Sequence, residues 1–179
     1  MVVEHNEEVE SDFKGTIIDL ETIGSFIPGT GSEQYKKIIP VIFGFINKEG
    51  LKIKCAKNHD SIPKLRKESE DILESLDRPF YAFNSLFERG VLFNQLGREI
   101  KFEGELNKFT FESKKSVVES LNIPNYDDPF NDKGLLCMHA WMNGEIKRAM
   151  LHNRSCLLKE KDILLRRGFR MPDELKLIK

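Results

Sequence analysis

Long apolar runs, paired cysteines and a charge excess are all missing from this 179-residue chain. No stretch of about 18 apolar residues occurs, so no membrane-spanning helix is expected. The three cysteines, Cys55, Cys137 and Cys156, stand far apart in sequence. That spacing excludes a zinc-knuckle pattern and predicts neither internal disulfides nor a disulfide-linked partner. The acidic start lacks the basic-then-apolar order of a secretory leader, and with the unpaired cysteines it predicts a reducing, cytoplasmic setting. The formal net charge is -1, so any nucleic-acid partner must be held by a local patch. No repeat or low-complexity tract is visible.

What is present suits one α/β domain. Apolar residues make up 40% of the chain and charged residues 32%, too hydrophobic and too balanced for disorder. Residues 1–12 carry Glu4, Glu7, Glu8, Glu10 and Asp12 with no Lys or Arg, which predicts a loose acidic arm. Residues 13–170 are expected to form the domain, and 171–179 a tail. Near that end, basic side chains from Lys147 to Arg170 outnumber the acids.

Thr16, Ile17 and Ile18 predict a strand, followed by a glycine-rich loop over 25–32. Ile38 to Ile46 predicts a central strand, and Lys48-Glu49-Gly50 a turn into a half-exposed hairpin partner. Helical spacing covers 61–76, and Phe80 to Phe83 returns to strand. Asn84 is placed to cap a short helix. A short strand is expected at 100–102, an extended piece at Phe109 and Phe111, and a helix at 115–121. A turn-rich connection follows, then helices over 134–149 and 151–167. The order predicts a mixed sheet covered by helices.

Three segments carry candidate chemistry. Asp19 and Glu21 lie two apart in a strand and share one face. Two such carboxylates repel unless protonated or matched by a cation; a divalent ion would resolve the conflict, and so would a strand end reaching water. Glu88 falls in the first turn of its helix, where the dipole favours an acid; it can equally turn toward the first strand. His152, Cys156 and Glu160 recur every four residues and form one ridge, with Arg148 one turn earlier. A histidine near its ordinary pKa would serve as a base or orient water. A partly exposed helix face gives the same pattern.

Ile17-Ile18-Asp19-Leu20-Glu21-Thr22-Ile23-Gly24 resembles the first motif of the DEDD (DnaQ-like) exonucleases. Ala82-Phe83-Asn84-Ser85-Leu86-Phe87-Glu88 resembles their second, and Trp141 to Glu145 with His152 to Leu158 their third. Among them the chain is most similar to the YprB-like ribonuclease-H-like nucleases, over about residues 13–167. The resemblance implies a ribonuclease-H-like sheet and a divalent-metal-dependent 3'–5' exonuclease or related nuclease acting on single-stranded DNA or RNA. It implies two Mg²⁺ or Mn²⁺ ions, held by Asp19, Glu21 and Glu88, with His152 positioning water. Glu88 stands where the family has Asp, and Cys156 where it has its last metal-binding Asp. Sulfur is a poor magnesium ligand. Glu160 would therefore complete the metal set, or the first three acids would act alone, or activity would be lost and the fold kept as a binding module. Asn84, Arg148, Arg154 and Lys159 are the expected contacts to nucleic acid.

Overall fold

The structure, a computed structural model, describes residues 1–179. Its framework is one six-stranded mixed sheet with helices on both faces. Strands β1 (Val2–Glu7), β2 (Thr16–Gly24), β3 (Ile38–Asn47), β4 (Gly50–Ala56), β5 (Phe80–Ala82) and β6 (Gly104–Glu105) lie in the spatial order β1-β4-β3-β2-β5-β6. The β-branched run Thr16-Ile17-Ile18 starts the central strand, where all three residues are buried. β2 pairs antiparallel with β3 and parallel with β5, and β3 and β4 form the expected hairpin.

The period of two sorts the side chains of β2 and β3 between the faces. Leu20 and Phe43 face α1 (Ile62–Ser75) and α2 (Ser85–Leu96), against Leu65 and Leu92. Asp19 and Gly44 face α5 (Ile146–Arg167). The helix α4 (Gly134–Met142) packs beside α5, and α3 (Lys114–Ser120) reaches α5 from the far edge.

Several expectations change. The acidic start is not a loose arm. Val2–Glu7 is strand β1, paired with β4 along its whole length. Its acids meet opposite charge: Glu4 pairs with Lys54 and Glu7 with Arg154. Pairing also satisfies the open edge of β4, which local composition cannot reveal. Ile100 and Phe102 are buried pegs, not a strand; sheet pairing begins only at Gly104. Phe109 and Phe111 sit exposed in turns. The break between the last helices falls at Asn143-Gly144-Glu145, with Gly144 at φ 79°. Asn-Gly is a turn signal that outweighs the helical spacing around it. The tail 171–179 has no regular structure but docks on the turn at 31–35. There the Ser32 amide donates to the Lys176 carbonyl at 2.8 Å and the Ile178 amide to Ser32 Oγ at 2.7 Å. A Cβ on Gly31 would come within 2.1 Å of that carbonyl. All three cysteines are unpaired and buried, and no helix is long and apolar enough to cross a membrane.

Candidate metal centre

β2 delivers Asp19 and Glu21 to one end of the sheet face covered by α5, as alternation requires. β5 ends beside it, so Asn84 and the first turn of α2 open onto the same place. α5 crosses behind, and its four-residue ridge brings His152 and Cys156 to the wall. The result is an open hollow of about 340 Å³ lined by Asp19, Glu21, Asn84, Glu88, His152 and Cys156, with Lys114 contributed from α3. Three stretches distant in sequence thus meet.

The close docking of α5 depends on Gly44. A Cβ there would lie 2.0 Å from Asn153 Oδ1. Without it, Asn153 reaches across β3 and donates to Asp19 Oδ2 at 2.7 Å, fixing that carboxylate.

Glu21 Oε1, His152 Nε2 and Cys156 Sγ form a cluster within 4.8 Å of one another, a set of donors able to hold a metal ion. His152 Nε2 lies 3.6 Å from Glu21 Oε1 and 3.7 Å from Cys156 Sγ. Its other nitrogen, Nδ1, meets Asp128 Oδ1 at 2.7 Å. Asp128 is held in turn by Lys159 at 2.9 Å and by the amides of Phe130 and Asp132.

Charge in the hollow is unevenly matched. Lys114 Nζ is 2.6 Å from Glu160 Oε1 and 3.4 Å from Asp19 Oδ1. Glu88 Oε2, Glu160 Oε2 and Asn84 Oδ1 are buried without a hydrogen-bond partner. Burial pushes Glu21 up to about 7, with Asp19 adding to the shift and His152 tempering it. Burial likewise lifts Glu160 to about 8, against the pull of Lys114. Glu88 is raised well above the carboxylate range by burial, then by Asp19 and Glu160. Burial alone would lower Lys114, but the surrounding acids hold its ammonium well above the ordinary range. Cys156 is pushed up to about 11 by burial, so it is a thiol at neutral pH.

The expected base behaves differently from its reference chemistry. Burial opposes a charged His152, yet Cys156 and then Glu21 on one side and Asp128 on the other lift it to about 11. An imidazolium donates and cannot accept, so the arrangement as it stands does not offer a neutral-pH base.

The expected nucleic-acid contacts separate. Asn84 lines the hollow. Arg148 is exposed, pairs with Glu145 and lies 5.0 Å over the Phe130 ring. Arg154 is turned away, onto Glu7. Lys159 is fully buried between Asp128 and Asp132 at 2.9 and 2.8 Å, so its ammonium is taken up by those two acids. It sits three residues after Cys156, rotated off the ridge into the protein. Glu160 does not line the hollow; its carboxylate backs Lys114. Phe87 is half-buried: it packs against the core, lines the opening and meets Tyr35 and the exposed Phe26 edge-on.

Sequence reasoning missed Lys114, Asp128, Asp132 and Asn153. Lys114 looks like part of a solvated Lys-Lys pair. Asp127-Asp128 looks like turn chemistry, and the turn is real, with positive φ at Tyr126, Asp127, Asn131 and Asp132. Only the invariant need of a buried His for a partner could have pointed to an acid there. In comparisons with known proteins, no family model, no curated protein and no solved structure matches this chain.

Proposed function

We propose that this chain is a divalent-metal-dependent nuclease that hydrolyses phosphodiester bonds of single-stranded DNA or RNA, built on a ribonuclease-H-like scaffold of the DEDD type. The observation that carries it is the convergence of Asp19, Glu21 and Glu88 on one open hollow, with one Glu88 oxygen buried and unpartnered. Hard carboxylate donors left short of cations fit Mg²⁺ or Mn²⁺. The strand order, with an antiparallel hairpin on one side of β2 and short parallel strands on the other, supports the scaffold.

Asp19, Glu21 and Glu88 would hold the metal, whose chemistry is to polarise the phosphoryl group and lower the pKa of a bound water. Asn153 keeps Asp19 in place. His152, aligned by Asp128, presents Nε2 to the hollow and orients the attacking water by donating to it. Lys114 supplies fixed positive charge beside the acids. That reduces the room for a second ion, so one resident ion plus the ammonium replaces the expected pair. Phe26 offers an exposed aromatic face at the opening, suited to stacking on an unpaired base. A neighbouring groove that shares Asp132 is lined by Lys115, Lys133 and several asparagines, suited to a phosphate backbone.

The test is cleavage of end-labelled single-stranded DNA and RNA with Mg²⁺ or Mn²⁺. Turnover that falls by about 10²–10³ in Asp19→Asn and in Glu21→Gln, with the fold intact, is the expected result. A second reading has a specific basis: Cys156 and Lys114 occupy a site otherwise made for hard cations, as in a catalytically impaired module that only binds. Strand binding without any turnover, at every metal concentration, would select it.

A further inference from the structure

The donors of the hollow fall into two chemically different groups. Asp19 and Glu88 offer only oxygen and face the Lys114 ammonium, which Glu160 backs from outside the hollow. Glu21, His152 and Cys156 offer one oxygen, one imidazole nitrogen and one sulfur. A mixed O, N, S set is a poor home for magnesium and a good one for zinc, which is borderline in softness.

Two of the three donor separations come close to those around a zinc ion, and all three atoms lie within 4.8 Å of one another. Zinc bonds of about 2.0–2.1 Å to nitrogen and oxygen and about 2.3 Å to sulfur, at tetrahedral angles, put neighbouring donors about 3.3–3.6 Å apart. His152 Nε2 stands 3.6 Å from Glu21 Oε1 and 3.7 Å from Cys156 Sγ. The histidine–carboxylate separation is too long for a hydrogen bond and leaves the pair as a loose ionic contact.

The surroundings of His152 are those of a ligand histidine. Metal-bound imidazoles donate their other N–H to a carboxylate, which fixes tautomer and ring orientation. Asp128 accepts from Nδ1 at 2.7 Å, and Lys159 and two backbone amides fix Asp128. The Phe130 ring, 5.5 Å from the imidazole centroid, restricts the ring further. All of this presents Nε2 to the hollow at one position.

We infer that Glu21, His152 and Cys156 are three ligands of a zinc-class divalent ion, with the fourth position open to the hollow. On binding, Cys156 gives up its thiol proton and His152 its Nε2 proton to solvent, leaving a thiolate and a neutral imidazole as ligands. Three protein ligands with an open position are the pattern of reactive zinc sites, not of closed structural ones. A Cys-His-Asp series also suits a thiol nucleophile. Here, however, Cys156 is 3% exposed among carboxylates, which disfavour a thiolate until a cation joins them. The inference shares Glu21 with the cation-binding part of the proposed function and does not rest on hydrolysis of nucleic acid; with this ion bound, His152 is a ligand and no longer donates to water.

Cobalt(II) titration of the whole protein, without nucleic acid, tests it. One equivalent of Co²⁺ should produce a sulfur-to-metal charge-transfer band and strong visible bands of a four-coordinate ion. Zn²⁺ should displace it stoichiometrically, and Mg²⁺ in large excess should not. Cys156→Ser should lose the charge-transfer band while Cys55→Ser keeps it. Asp128→Asn should weaken Zn²⁺ binding about 10–100-fold. Circular dichroism of each variant establishes that it is folded. No charge-transfer band, a band that survives Cys156→Ser, or displacement by Mg²⁺ as readily as by Zn²⁺ would overturn the inference. Strand cleavage in Mg²⁺ with no cobalt band would overturn it while leaving the nuclease reading intact. A cobalt band with no cleavage in any metal would support it and sink the nuclease reading alone.

Discussion

Two lysines stand among the acids in and behind the hollow, Lys159 fully buried and Lys114 half-buried, and the contrast between them divides structure from function. Lys159 is enclosed by Asp128 and Asp132, with an ion pair to each and none of its side chain exposed. The His152 imidazolium adds a second positive charge on Asp128, so the cluster is balanced. Lys114 faces Asp19 and Glu160, with Glu88 near enough to feel both acids, and 17% of its side chain open to solvent. There the negative charge exceeds what the chain itself neutralises. Asp128 is held below the ordinary carboxylate range because His152 and Lys159 outweigh its burial. Glu160 and Glu88 are pushed above it because burial outweighs Lys114. The first cluster is closed and needs nothing. The second retains a demand for cations that an ion or a proton must meet.

Removing each lysine should give unequal losses. Lys159→Met strips the counter-ion from two buried aspartates, and is expected to destabilise by about 3–5 kcal/mol in urea unfolding. Divalent ions should not restore that loss. Lys114→Met should cost less, about 1–3 kcal/mol without divalent ions, because Glu160 and Glu88 can take up protons instead. It should also open room beside Asp19, so that the variant binds Mn²⁺ with a higher stoichiometry by calorimetry. A divalent ion at 100 times its dissociation constant should then add about 2.7 kcal/mol. Equal losses that no ion reverses would erase the distinction between the clusters.

The same contrast predicts a pH dependence. Glu21 and Glu160 titrate at about 7 and about 8 when folded, against 4.5 for the free group. The folded state therefore holds these protons more tightly than the unfolded state. Their contribution lowers stability as pH rises from about 4.5 to about 8, the reverse of an ion-paired carboxylate. His152, raised from 6.5 to about 11, contributes with the same sign above pH 6.5. The urea midpoint should fall across that window, and a saturating divalent ion should flatten the decline. A midpoint that rises with pH would mean that the acids of the hollow are already neutralised by the chain.

How much of this was legible depends on the range of each interaction. The pairing of Asp19 with Glu21 follows from strand alternation around Ile17 and Ile18. The ridge of His152, Cys156 and Glu160 follows from helical spacing. The β3–β4 hairpin follows from Lys48-Glu49-Gly50. By contrast, a strand of few apolar residues such as Val2–Glu7 forms only because β4 offers it an open edge. The roles of Arg154 and Lys159 were misread for a related reason: charge in a sequence does not tell which acids will stand opposite.

By itself the amino-acid sequence determined which side chains share a face, because alternation and helical pitch are local properties of the backbone. It thereby fixed the donors Asp19, Glu21, His152 and Cys156 as two sets. Only the tertiary structure decided that the sets meet, that Lys114 enters the acids and that Asp128 stands behind His152. Those outcomes depend on how closely α5 can approach β3 over Gly44, and on where a turn with left-handed residues carries Asp128. Close approach of distant segments is set by packing and by the balance of buried charge, which no local pattern records.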